Sequence, residues 1–268
     1  MKTLIVATDF SKEAENALQY AGAAAQKLQG KVVIFNAFNI SSHTGNSLFP
    51  ASAVKEMIAY NNAILQRKAD DLATEFGIEV HCESSMMELD EELDKAIEKY
   101  KADLVVMGMA PSSLSQDLFG NTTTSAIAKL KFPVLAIPAG VSFKGIKKIL
   151  FACDILRGVE QEILNKIKTF AMGVGAQVEV FSVQNKLKAL TAEHTARIDE
   201  GLQDVDYAYK NVVSTKVIQA IEDEVKAFEA DILIMVPHKY SFWSSLVHQS
   251  KTRIMASRSE IPLLSIAL

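Results

Sequence analysis

The sequence predicts an α/β fold that is built twice along one chain: two tandem doubly wound domains, each a five-stranded mainly parallel sheet flanked by helices. Two observations predict it. Short apolar runs typical of buried strands alternate with longer segments whose apolar residues recur at helical spacing. The same ordered set of strand-like runs also occurs in both halves of the 268-residue chain. Such alternation is typical of parallel sheets covered by helices on both faces.

The repeat consists of four pairs of segments in the same order, each pair alike in length and apolar pattern. The pairs are 2–9 with 147–154, 31–36 with 177–182, 102–107 with 230–235, and 132–137 with 261–266. Four ordered matches indicate an internal duplication, which divides the chain into domains 1–140 and 145–268. Both copies of the first strand end in an aspartate, Asp9 and Asp154.

The first copy carries extra sequence between its second and fourth strands. The offset between the copies falls from 145 residues at Asp9 and Asp154 to 128 at Asp103 and Asp231. The stretch 41–52 is polar and contains Gly and Pro, so we predict that the extra residues form a loop there.

Three helices of the first half have clear sequence signals. The first is predicted from Ser11 as N-cap to Gly30 as closing residue. The third opens with the acids 90–92, which suit the positive end of a helix dipole, and continues to Tyr100. The second is predicted near 53–76, and its apolar stripe is expected to face the core. That stripe consists of Val54, Met57, Ile58, Ile64 and Leu65.

Composition and charge exclude several classes of protein. A net charge of −4 without a basic tract argues against a nucleic-acid partner. No run approaches the ~20 apolar residues of a membrane span, and Asp9 interrupts the N-terminal apolar run too early for a signal peptide. Cys82 and Cys153 have neither metal-ligand nor disulfide spacing. We therefore expect a cytoplasmic protein that binds neither nucleic acid nor membranes.

The sequence lacks the signatures of the enzyme classes that this fold commonly hosts. It contains neither a P-loop nor a Gly-x-Gly-x-x-Gly fingerprint after the first strand. His238 and His248 are open to two interpretations, a small metal or anion site or ordinary loop residues. Their spacing of ten suits no standard zinc pattern, so the second is favoured. We predict a binding or regulatory protein with no catalytic residues and no metal site.

The fold class itself indicates where a ligand would bind. In doubly wound sheets ligands lie beyond the carboxyl ends of the strands, at the point where the strand order reverses. That rule selects Asp9, which follows the first strand, and the segment after Met107, which follows the fourth.

Three segments of the first half together resemble the universal stress protein family. They are Thr8-Asp9-Phe10-Ser11 after the first strand, the fourth-strand run 102–108, and Gly120 with the Thr-rich helix start and the closing run 131–138. The resemblance covers the chain twice and is stronger in the first half. It implies a role in the stress response, and it implies that the two halves pair through their closing strands, 134–137 and 263–266. A second copy of the chain or another protein would be further partners.

Many members of that family bind ATP through a loop of the form Gly-x-x-Gly, nine residues, then Gly-Ser or Gly-Thr. In this chain Asp9 matches the family's first-strand aspartate, Gly108 the first glycine and Gly120 the third. Pro111 replaces the second glycine and has no N–H to donate. The loop is also one residue short, and Asn121 stands where Ser or Thr is usual, although Thr122 follows.

The resemblance thus implies a modified site for ATP or a related adenine nucleotide, or another anion, formed by Asp9, Gly108, Gly120, Asn121 and Thr122. Asn121 would meet the anion or simply cap its helix. In the second half, Val236 follows Met235 and no glycine occurs through Ser250, so we predict that this half binds no nucleotide. The alternative function is a protein-interaction module in which both nucleotide sites are lost.

Overall fold

The structure, a computed structural model, describes residues 2–38, 51–86, 89–109, 122–184, 191–236, 255 and 259–267. The strands in these ranges are β1 (Thr3–Ala7), β2 (Lys31–Ala37), β3 (Val80–Ser85), β4 (Leu104–Met109), β5 (Val134–Pro138), β6 (Lys148–Ala152), β7 (Gln177–Gln184), β8 (Tyr207–Val213), β9 (Ile232–Met235) and β10 (Leu263–Ser265). The helices are α1 (Lys12–Leu28), α2 (Ala51–Phe76), α3 (Leu89–Tyr100), α4 (Thr122–Lys129), α5 (Gln161–Val174), α6 (Ala192–Gly201) and α7 (Val217–Phe228).

The chain divides into two compact units, Met1–Gly108 and Met109–Leu268. In the first unit the strand order is β3-β2-β1-β4 and all pairs are parallel. In the second the order is β5-β10-β9-β6-β7-β8, with every pair parallel except β5 with β10. The predicted α/β class, with parallel strands joined through helices, is confirmed. The domain limits 1–140 and 145–268 describe the repeat in the sequence and stay a prediction.

The closing strands of the two repeats pair with each other. β5 and β10 are antiparallel, and Leu135 lies opposite its repeat equivalent, Leu264. The pairs on either side of this one are also related by the repeat, because each becomes the other when the two strands are interchanged. A local twofold axis therefore relates the two strands. This contact was expected from the family resemblance, and it draws β5 into the second compact unit.

Helix α1 begins as predicted and ends one residue earlier. The Ser11 hydroxyl accepts a hydrogen bond from the N–H of Ala14 at 3.2 Å, the bond that defines an N-cap. The closing residue is Gln29, which adopts the left-handed conformation at φ 53°, and not Gly30. Gly30 is needed for a different reason: a Cβ at that position would lie 2.9 Å from the carbonyl oxygen of Lys2.

Helix α2 bears on two expectations. Most of the extra sequence of the first half lies in this helix, which has 26 residues against 10 in its counterpart α6. Residues 41–50 of the predicted loop lie outside the described residues. The predicted stripe also faces the core only at its C-terminal end. Leu65, Ala69 and Leu72 are buried, whereas Val54 and Ile58 are half-buried and Met57 is 42% exposed. No helix in the described ranges is both long and apolar enough to cross a membrane.

Candidate functional site

The strand order places a topological switch point between β1 and β4. From β1 the chain moves outward to β2 and β3, and then returns to form β4 on the other side of β1. In the register of this pair Ala7, the last residue of β1, lies beside Met107, and β4 continues to Met109. Asp9 follows one strand, and Gly108 is the last residue but one of the other. The structure thus brings these two predicted site residues to the crevice where ligands bind in such sheets.

The turn that carries Asp9 is fixed by its own side chains. The Thr8 hydroxyl accepts a hydrogen bond from the N–H of Phe10 at 3.0 Å, and Asp9 Oδ1 accepts one from the N–H of Ser11 at 3.0 Å. Ser11 in turn caps α1. Three short polar residues within four positions therefore set the path from the strand into the helix. Asp9 is left exposed, with its carboxylate held in a defined place.

Phe10 adopts a backbone conformation that bulky residues rarely use, with φ 64°. Such strain persists only where the surroundings determine the conformation, and it is common at binding sites. Here the determinant is Asn36 at the end of β2, which is 2% exposed and donates from Nδ2 to the Thr8 carbonyl at 2.6 Å. Asn61 of α2 donates to Asn36 Oδ1 at 3.0 Å and fixes that amide.

Gly108 is required by packing. A Cβ at this position would lie 2.2 Å from the Glu13 carbonyl oxygen and 2.7 Å from the Ala14 nitrogen, both in the first turn of α1. The end of β4 therefore runs directly against helix backbone. This contact explains a glycine at the position that matches the family's first loop glycine, whether or not a phosphate approaches it.

The remaining predicted site residues lie at or beyond the edge of the described chain. Gly120 and Asn121, together with Pro111 of the shortened loop, are outside the described residues. Thr122 is the first residue of α4, which gives the helix start expected there. The loop containing His238 and His248 is likewise outside the described residues. Among the residues that are described, no cluster of three or more His, Cys, Asp and Glu side chains could hold a metal ion.

The second unit repeats the switch point with different residues. There β6 and β9 are neighbours, followed by Asp154 and Val236. A 3-10 turn over Ile155–Arg157 intervenes, and α5 begins only at Gln161, seven residues after the aspartate. Burial raises the pKa of the Cys153 thiol, and the nearby Asp154 raises it further. The thiol beside this aspartate is therefore protonated and unreactive at neutral pH.

Sequence reasoning missed one contributor to the first switch point. Asn36 was counted as the end of a buried strand, but its amide holds the Thr8 carbonyl and thereby the Asp9 turn. The available signal was a polar residue at the end of an otherwise apolar run, Val32 to Phe35. Its partner Asn61, 25 positions further on, carried no comparable signal.

Comparisons with known proteins agree with this architecture. A sequence model described as the Universal stress protein family matches residues 1–138. A universal stress protein of Methanocaldococcus jannaschii is 26% identical over 141 residues, which cover 51% of this chain and 81% of that protein.

Two solved structures are similar over almost the whole chain. One is a universal stress protein from Archaeoglobus fulgidus, with 16% identity, a TM-score of 0.74 and coverage of 99% of this chain and 98% of that one. The other is a functionally unknown protein from Pseudomonas aeruginosa, with 13% identity, a TM-score of 0.59 and coverage of 100% and 92%. These likenesses extend the shared fold to the second half, and the match over residues 1–138 shows the family. The chain belongs to the universal stress protein family.

Proposed function

We propose that this protein acts in the stress response by binding, and that its first half takes an adenine nucleotide or a related anion at the switch point between β1 and β4. The observation that carries the proposal is the turn at Asp9. An exposed carboxylate accepts a hydrogen bond there from the N–H of Ser11, and the neighbouring Phe10, which is in a strained conformation, is bonded through its N–H to the Thr8 hydroxyl. A fixed acceptor of this kind suits the hydroxyl groups of a ribose.

The proposed phosphate side of the site rests on the family resemblance, which assigns it to Gly120, Asn121 and Thr122. A helix that begins at Thr122 offers N–H groups and the positive end of its dipole to an anion. Gly120 would let the backbone approach the phosphates. Gly108 would contribute by keeping the end of β4 close to α1.

We propose binding and not catalysis. Within the described residues around Asp9, the side chains in hydrogen-bond contact belong to Thr8, Ser11, Asn36 and Asn61, which cap backbone groups or each other. Phosphoryl transfer needs a positioned metal and a base or water-orienting group. The predicted function is therefore to sense a nucleotide and report its presence.

We further propose that the second half takes no nucleotide. Val236 stands where the first half has Gly108, and its side chain occupies the space that a close backbone approach needs. The longer path from Asp154 to α5 also removes the tight turn that holds Asp9 in the first unit.

A thermal-shift titration of the purified chain tests the proposal, with ATP, ADP, AMP and inorganic phosphate, each with and without Mg²⁺. A ligand that binds only the folded state raises the free energy of unfolding by RT ln(1 + [L]/Kd), so roughly a tenfold excess over Kd gives about 1.4 kcal/mol. A saturable shift with an adenine nucleotide supports the proposal. Shifts with none of these ligands would refute it.

Two matched substitutions assign the site to one half. Asp9→Asn keeps the acceptor for the Ser11 N–H and removes the charge, so we expect the unliganded melting temperature to change little. Losing a charged acceptor should weaken nucleotide binding about 10- to 100-fold. Asp154→Asn makes the same change in the second half and should leave the affinity unaltered. Equal losses in both variants would place a second site where we propose none.

The alternative function, a protein-interaction module with both sites lost, is favoured by one observation on α2. Tyr60 is 72% exposed and Met57 is 42% exposed. Both lie in the N-terminal part of the helix, before the buried residue Leu65. Large exposed apolar side chains close together are typical of interaction surfaces. If no nucleotide shifts the melting temperature, replacing Met57 and Tyr60 with Ser should abolish self-association or partner binding in sedimentation measurements, and an unchanged sedimentation profile would count against the module.

A further inference from the structure

The second unit contains a carboxylate in its apolar layer. Helix α7 packs on the sheet through Val217, Ile221 and Glu224, which recur at helical spacing and are all buried. The Glu224 side chain is only 7% exposed. Lys210 of β8 donates to both of its carboxylate oxygens, at 2.7 and 2.6 Å. A buried carboxylate with an ion-pair partner would by itself be an ordinary structural feature.

A second carboxyl group lies beside this ion pair. Glu179 is on β7, on the same face of the sheet as Lys210, because its register partner Ala208 lies two residues before that lysine. Its Oε1 atom is fully enclosed and has no hydrogen-bond partner among the described residues. Burial first, and then the neighbouring carboxyl of Glu224, raises the pKa of Glu179 to about 6, although Lys210 opposes the shift.

The Lys210 ammonium is therefore the counter-charge for two carboxyl groups. Among the described residues of these strands, the other cation on this face of the sheet is Lys148 of β6, which lies 3.0 Å from Glu229, just past the end of α7. The site is only partly desolvated, because the Lys210 side chain is 43% exposed. Two carboxyls that approach each other in such a site and share one counter-charge are held most stably when Glu179 is protonated.

The fold does not need these charges. Their equivalents in the first half are Val33, Glu83 and Ala96, by the register of β2 with β3 and the repeat offset. Val33 is 0% and Ala96 1% exposed, so the two positions equivalent to Glu179 and Glu224 are apolar there. Glu83 pairs instead with Lys99, at 2.9 Å. Buried ionic groups commonly cost stability compared with apolar residues of similar volume, and such departures from the packing rules concentrate at functional elements.

We propose that Glu179, Glu224 and Lys210 form a proton-operated latch between helix α7 and the sheet of the second unit. With Glu179 protonated the group is neutral, and α7 is held against β7 and β8. Loss of that proton leaves two carboxylates against one ammonium. Their repulsion then loosens α7, so mild acid closes the latch and neutral to alkaline pH opens it.

The sign of the effect follows from proton linkage. Because the folded state holds the Glu179 proton more tightly than the unfolded chain, the group's contribution to stability is complete below the ordinary carboxyl range. It is lost as pH rises through about 6. A shift from 4.5 to about 6 sets an upper limit of roughly 30-fold on the change in the unfolding equilibrium. Solvent access to the partly exposed Glu179 reduces it, so we expect about 3- to 10-fold.

The test measures amide hydrogen exchange and urea unfolding of the full chain at pH 5, 6, 7 and 8, with exchange corrected for its intrinsic pH dependence. In the native chain, opening of α7 should become about 3- to 10-fold more frequent between pH 5 and 8 relative to α3, its counterpart in the first half. Glu179→Gln mimics the protonated state. Its α7 should stay protected at pH 8 as well as it is at pH 5.

Two further variants keep the test decisive. Glu224→Gln also leaves one carboxylate for one ammonium, so it should abolish the pH dependence of α7 exchange. Glu83→Gln is the control. It makes the same chemical change in the first half, at the position equivalent to Lys210, and should leave α7 unaffected. The proposal is overturned if α7 and α3 change in parallel with pH in the native chain, or if the native-minus-Glu179→Gln stability difference is the same at pH 5 and pH 8.

Discussion

The two halves of the molecule agree at one end of their strands and differ at the other. At the amino ends, Asp103 Oδ2 accepts hydrogen bonds from the N–H groups of Lys2 and Thr3 at 2.7 and 2.9 Å. Asp231 makes the equivalent two bonds at the start of β6, also at 2.7 and 2.9 Å. At the carboxyl ends the residues, the turn and the helix start all differ between the halves. The comparison separates what the fold requires from what a ligand site requires.

The carboxyl-end difference has a steric origin that can be located at one position. In the first half Gly108 lets β4 end against the backbone of Glu13, and α1 begins three residues after Asp9. In the second half Val236 has a side chain at this place, and α5 begins seven residues after Asp154, behind a 3-10 turn. The half with a glycine at this position therefore has the tight turn, and the half with a side chain there has the longer path to its helix.

The largest effect that follows from this comparison is expected for Gly108→Ala. The added Cβ would lie 2.2 Å from a backbone oxygen, and backbone cannot move aside as a flexible side chain can. We expect the free energy of unfolding in urea to fall by about 3 kcal/mol. The matched change Val236→Ala removes a half-buried side chain and should cost about 1 kcal/mol or less. Comparable losses in the two variants would mean that α1 does not rest on the end of β4.

The amino-end agreement predicts equal and smaller effects. Asp103→Ala and Asp231→Ala each leave two backbone N–H groups without their carboxylate acceptor. Hydrogen bonds to charged groups contribute about 1.5–3 kcal/mol, and partial exposure lowers this, so we expect about 1–2 kcal/mol in each case. Urea unfolding of both variants should agree within ~0.5 kcal/mol, and the double variant should show the sum because the sites share no partner. A loss confined to one half would show that the two clamps are not equivalent.

The features of the fold that could be predicted from the sequence are those that the repeat and the apolar runs determine. Buried parallel strands leave continuous Val, Ile and Leu runs, so the strands, their order along the chain and the switch point beside Asp9 could be predicted. The N-cap Ser11 was found because capping depends on residues three positions apart. The helix end was placed at Gly30 because glycine is the usual left-handed residue, yet Gln29 adopts that conformation and Gly30 instead avoids the Lys2 carbonyl.

Features that depend on side chains from distant segments could not be read from the chain. The contact between Asn36 and Asn61 joins β2 to α2, and each residue alone is unremarkable for its surroundings in sequence. The group formed by Glu179, Glu224 and Lys210 spans three elements, and its parts appear in sequence as ordinary charged residues.

The smallest expected effect concerns how the two helices that follow the switch points begin. The Ser11 hydroxyl caps α1, whereas Glu160 at the start of α5 makes no side-chain capping bond. Ser11→Ala should therefore lower the free energy of unfolding by about 1 kcal/mol, and Glu160→Ala should change it by less than ~0.5 kcal/mol. Since Ser11 also donates its N–H to Asp9, and that bond survives in the alanine variant, nucleotide affinity should fall less than in Asp9→Asn. Thermal and urea unfolding, followed by titration with the nucleotide, measure both quantities. A loss of affinity as large as that of Asp9→Asn would show that the helix start, and not the aspartate, is what the ligand requires.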